Sequence, residues 1–245
     1  MLVAISRIPE RADARALAAK ATGLALADLN RRLAGTLPRV LFPGGADPAV
    51  VDQLEALGFG VLTCDPAAVT GDDERVVARR IEFAGPALVV ADGKGQTHRC
   101  GPAEIALLQR GIRVATAQEK VTTSERKLDF GRAVLSGGLM LTKKVQQTTV
   151  KTTESAEPFL LVQRRNDPDV ILYERRLDYR PLGAEMQPAS RANLEVVWNK
   201  LKAMAPDRVD DRITRPGFVN GLPMTSADPI DLALMLVSLA RLSGA

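Results

Sequence analysis

The stretch from Pro229 to Leu242 constrains this chain more than any other. Apart from Asp231, Ser238 and Arg241 its residues are apolar, and wound as a helix those three fall on one narrow stripe. Asp228 is placed to cap the helix, and Pro229 suits its first turn. A helix apolar over most of its circumference needs cover on several sides. The cover can come from the chain's own domains, from a second copy or partner, or from a membrane surface. The last is the weakest reading, because interfacial helices usually carry Lys or Arg along the polar face and this one has a single Arg. The stretch also falls short of the roughly 18 apolar residues of a spanning helix. Leu232, Met235, Leu236 and Leu239 are therefore candidate assembly residues, in a clasp on the chain's own domains or in a homo-oligomer. No transmembrane segment is expected.

The first 65 residues read as β-α-α-β-α-β. Leu2 to Ile8 is strand-like and Ala12 to Ala21 is Ala-rich, a good helix former. Thr22-Gly23 stops that helix, and Leu24 to Leu33 forms another. Arg39 to Phe42 is β-like. Asp47 and Pro48 open a third helix that Gly58 closes, and Gly60 to Cys64 is the last strand. This is a small sheet with helices on one face. The run Ala21-Thr22-Gly23-Leu24-Ala25-Leu26, followed by Asp47-Pro48-Ala49 and Leu57-Gly58, resembles the C-terminal domain of the bacterial ribosomal stalk protein. The resemblance implies a small protein-contact module. That family recruits translation factors through basic residues on its first helix and the following turn. Here Arg11 falls at one such position, but Ala16, Ala19 and Asn30 fall at others, so translation-factor binding is not carried over.

Residues 66–74 are rich in Pro, Gly and Asp and read as a linker, with Asp72-Asp73-Glu74 solvated. From 75 to 205 the pattern changes to strands. Seven are expected: 76–83, 87–91, 96–100, 105–123, 139–153, 159–163 and 170–173. An amphipathic helix follows over 188–205, capped by Ser190, with Leu194, Val197, Trp198, Leu201 and Met204 on one face. Seven strands followed by a helix bearing the only Trp resemble a bacterial pleckstrin-homology-like domain. That resemblance implies a bent barrel whose open end the helix plugs. Ser124 to Gly138 is an insertion between the long strands, with Leu128, Phe130, Val134 and Leu135 as apolar content for a short helix. The expected fold class is thus α+β, with a tail over 206–245 in which Asp210-Asp211 is solvated.

The net charge of +4 hides an asymmetry, since residues 75–205 hold twenty-two basic and fourteen acidic groups. The hairpin 113–151 carries Arg113, Lys120, Arg126, Lys127, Arg132, Lys143, Lys144 and Lys151 against three acidic residues. It is the candidate surface for an acidic protein or an anion such as a phospholipid headgroup or nucleic acid, with a solvated basic face as the plain alternative.

Catalytic sets are harder to assemble. With a single His, no Ser-His-Asp set is evident in the sequence and most zinc sites are removed. His98 and Cys100 share a strand face, but only Cys64 is left to join them, so a strand His and a buried thiol are expected. Gly44-Gly45 lacks a phosphate-loop lysine and reads as a turn, as does Asp92-Gly93-Lys94-Gly95. No cofactor is indicated. Two cysteines without a paired framework fit a reducing compartment, and no export signal is evident in MLVAISRIPE. The expectation is a non-enzymatic cytoplasmic adaptor or scaffold component that binds another protein, with the anion-binding module as its alternative.

Overall fold

A computed structural model describes the backbone of residues 1–128 and 142–243 and the side chains of 1–114 and 155–243. The strands are β1 (Leu2–Arg7), β2 (Arg39–Phe42), β3 (Gly60–Cys64), β4 (Val76–Ala84), β5 (Ala87–Asp92), β6 (Thr97–Cys100), β7 (Ile105–Leu128), β8 (Thr142–Arg164) and β9 (Val170–Tyr173). The helices are α1 (Ala14–Thr22), α2 (Leu26–Arg32), α3 (Pro48–Ala56), α4 (Ser190–Met204) and α5 (Pro229–Leu242). The chain divides into two compact units, Met1–Arg113 with Pro158–Ala245, and Val114–Glu157.

Within the larger unit, β1 is the centre of an antiparallel three-stranded sheet ordered β2-β1-β3. Its Ile5 and Leu41 face α1, α2 and α3 through Ala18, Leu29 and Leu54. Asp47 caps α3 as its sequence implies, accepting the Ala49 N–H at 2.9 Å. Helices were expected on one face only. The other face, with Leu2, Ala4, Leu62 and Cys64, is covered by Leu232, Leu236 and Ala240 of α5.

The second sheet is ordered β6-β5-β4-β9-β8-β7, with β4 and β9 parallel. It is open, which corrects the expected barrel. The reason lies in Phe159–Val162 and Val170–Tyr173, apolar at every position and buried throughout. Such runs belong to strands covered on both faces. Leu160, Val162, Val170 and Leu172 pack with Leu194, Val197, Trp198 and Leu201 of α4. Phe159, Leu161, Ile171 and Tyr173 pack with Ala233, Leu234 and Val237 of α5. Helix α4 thus lies on a sheet face and plugs nothing. A close approach shapes the second face, where a Cβ on Gly111 would stand 2.8 Å from the Phe159 ring.

Two expected strands, 139–153 and 159–163, are one. β8 runs through Pro158, whose carbonyl accepts the Glu174 N–H at 2.9 Å, so the missing N–H of proline costs the pairing nothing there. β7 continues to Leu128, past the expected end at Thr123. The helix expected around Phe130, Val134 and Leu135 lies outside the described residues. Ser190 does not cap α4, since Ala189 occupies that position. The entry is closed by Asn193, whose side chain accepts from the Gln187 N–H at 2.6 Å and donates to the Gln187 carbonyl at 2.9 Å.

Helix α5 is therefore sandwiched between the two sheets of its own unit. Leu232 and Leu236 are fully buried, each contributing roughly 1.5–3 kcal/mol relative to exposure. Among the described residues no helix is long and apolar enough to cross a membrane.

Candidate functional site

One polar stripe of α5 organises the charged interior. Asp231 is 4% exposed on a helix that is otherwise apolar toward both sheets, so its carboxylate needs cationic partners. Arg75, just before β4, donates to it at 2.5 Å, and Arg113 of β7 donates at 2.7 Å. Both arginines also reach Asp72, at 3.2 and 3.4 Å. The Tyr173 hydroxyl of β9 donates to the same Asp72 carboxylate. Asp228, the N-cap of α5, lies 3.5 Å from Arg113. Arg75 Nη2 donates to the Thr70 carbonyl at 2.7 Å, and its Nε is buried without a hydrogen-bond partner among the described residues. Residues from the 66–74 segment, β7, β9 and α5 are thereby tied at one point.

The electrostatics follow from burial. The Arg113 guanidinium is held further toward its charged form by Asp231 and Asp72, against the opposing cost of burial. Burial pushes the Tyr173 phenol up, and the hydrogen bond to Asp72 pushes it in the same direction. Nearby, burial raises the Asp169 carboxyl above its ordinary range, against the Arg164 N–H and the charges of Arg75 and Arg164. A cavity of about 150 Å³ borders the cluster, lined by Arg75, Asp231, Gln163 and Ser238 among others. The other polar residues on the α5 stripe are also engaged: Ser238 donates to Gln163 at 2.8 Å and Arg241 to the Asp207 carbonyl at 2.7 Å. With Asp72 and Asp231 each bonded by two arginines, this is an arrangement that fixes elements in place.

Two solvated readings are corrected here. Asp72 belongs to this cluster, and Asp210 is buried and paired with Arg212 at 2.6 Å. Local composition makes both look like loop carboxylates, because it does not show their partners.

Of the eight basic residues singled out in the sequence, Arg113 faces carboxylates of its own chain. Lys120, Arg126 and Lys127 belong to β7, and Lys143, Lys144 and Lys151 to β8, with side chains outside the described set; Arg132 lies outside the described residues. Among the assembly candidates, Leu232 and Leu236 are buried, and Met235 and Leu239 pack half-buried against the same cluster. Asp72, Arg75, Tyr173 and Asp231 were not singled out together. The one visible signal was a carboxylate inside an otherwise apolar helix.

His98 stands 3.8 Å from Asp92, and Cys100 packs in the core with α4. Burial raises the thiols of Cys64 and Cys100 to about 11. Among the described residues no three His, Cys, Asp or Glu side chains gather as a metal site. Compared with protein-family models, curated proteins and solved structures, the chain has no match.

Proposed function

We propose that this chain is a cytoplasmic, non-enzymatic adaptor that binds another protein through the ribbon formed by β7 and β8. One observation carries the reading. Arg113, the last residue before the Val114–Glu157 unit, is held by three carboxylates, Asp231 of α5, Asp228 at its N-cap and Asp72 of the 66–74 segment. The buried charge of the larger unit thus holds β7 at the last residue that belongs to that unit. A strand held in one conformation at its start loses less entropy when it engages a partner. The stalk-like pattern of residues 1–65 supports the same class of function, a protein-contact module. The seven remaining basic residues of 113–151 suit a partner with an acidic face.

The test is capture from nuclease-treated native lysate with the full chain as bait. A stoichiometric protein partner is expected, and it should be lost when Lys127, Arg132, Lys143 and Lys144 are changed to Glu. Recovery of lipid or nucleic acid alone, released by the same substitutions, would replace the adaptor with the anion-binding reading. Capture indifferent to those substitutions would remove the ribbon from the contact.

A further inference from the structure

Three arginines line one cleft elsewhere in the larger unit. It has about 460 Å³ of open space, lies between the α2–β2 region and the 217–223 loop, and has no Asp or Glu in its wall. Its three cations are Arg31 and Arg32, at the end of α2, and Arg39, the first residue of β2. They are unequally compensated. Arg31 pairs with Asp28 at 2.8 Å. Arg32 donates to the Leu41 carbonyl at 2.6 Å and has no carboxylate partner among the described residues.

Arg39 is the telling group. It is 8% exposed and has no carboxylate partner among the described residues. Its Nη1 donates to the carbonyls of Gly217 and Phe218, at 3.0 and 3.4 Å, and its Nε is buried without any partner. A guanidinium stays charged at any ordinary pH. Burying one without a counter-charge is costly, so folded chains usually pair it. Here the backbone makes room for it instead. A Cβ on Gly35 would come within 2.5 Å of Nη2, and a Cβ on Gly221 would overlap Nη1 outright. Two glycines far apart in sequence leave the space this side chain fills.

We propose that this cleft binds a phosphate group, with Arg39 and Arg32 as its principal contacts. Two uncompensated guanidinium charges match the −1.5 to −2 that a phosphate monoester carries near pH 7, to within about half a charge. Arg32, bound among the described residues only through Nη1, has a fork to offer a pair of phosphate oxygens, and Arg39, with Nη1 on two carbonyls and Nε buried, has its Nη2. The space exceeds what a phosphate fills and lies within the range of small-molecule sites. Val40, Leu41, Leu222 and Pro223 in the wall give an organic remainder an apolar surface. The ligand is a phosphate monoester or free inorganic phosphate, through the same chemistry. The residues lining this site belong to the larger unit, and its fate does not depend on the adaptor reading.

The test is calorimetric titration of the full chain, at constant ionic strength, with inorganic phosphate and separately with phenyl phosphate. Saturable binding at one site per chain is expected. Arg32→Gln, at an exposed position, should weaken it about tenfold or more, as should Arg39→Lys, which keeps the charge but loses the planar guanidinium. Lys94→Gln, in a distant turn, should leave it unchanged. Tighter binding of phenyl phosphate assigns an organic phosphate, and equal binding assigns free phosphate. No saturable binding of either at millimolar concentration overturns the proposal, as does binding that Arg32→Gln leaves intact. If Arg39→Lys fails to fold, Arg32→Gln decides alone.

Discussion

Replacing Asp231 by Asn removes one charge from a cluster with little water to replace it. The side chains of Arg75 and Asp231 are 3% and 5% exposed, at 2.5 Å, and Arg113 is 17% exposed. In the variant Arg75 and Arg113 would share Asp72, with Asp228 at the rim. Breaking a buried ion pair by removing one partner costs about 3–5 kcal/mol. For a chain of this length each kcal/mol lowers Tm by about 2–4 °C, so Asp231→Asn should melt roughly 10 °C lower. Removing both charges should cost less than the sum. Arg75→Met with Asp231→Leu takes out the pair and leaves apolar groups in its place, an exchange that is often close to neutral. Chemical denaturation of wild type, Arg75→Met, Asp231→Leu and the double variant gives the coupling directly, and about 1–3 kcal/mol is expected for residues in contact. Strictly additive losses, or an Asp231→Asn chain as stable as wild type, would show that the cluster does not hold the root of β7.

Two further outcomes follow from burial. Asp169→Asn should raise stability at pH 7. The folded carboxyl is raised above its unfolded value, so its contribution is full below the unfolded pKa and is lost as pH rises through the folded one. The gap between variant and wild type should therefore close on acidification toward about pH 4, in thermal melts across pH. Cys64 and Cys100, with thiols raised to about 11 by burial, should resist a thiol reagent in the native chain at pH 8 and react in denaturant; fast native labelling of either would contradict its placement.

Much of the architecture was legible where it is local. Gly23, Asp47, Pro48, Gly58, Asp228 and Pro229 act on their own neighbours, and these marked helix ends correctly. The open second sheet departs from the expected barrel, although its signal is present in the sequence. Phe159–Val162 and Val170–Tyr173 lack alternation, which already excludes strands with one solvated face. What no local pattern carries is partnership at long range. The parallel pairing of β4 with β9, the link from Arg75 to Asp231, and the seat that Gly35 and Gly221 make for Arg39 each join residues far apart in the chain. For the same reason Arg113 was grouped with the basic hairpin that follows it in sequence, whereas its charge is committed to Asp72, Asp228 and Asp231.

The most direct measurement compares capture by the full chain with capture by a chain in which residues 116–155 are replaced by a short Asn-Gly turn. Thermal melting of the shortened chain establishes that the larger unit still folds. With folding retained, the partner should be lost. A folded, shortened chain that still recovers the same partner at the same stoichiometry would contradict the ribbon as the binding element.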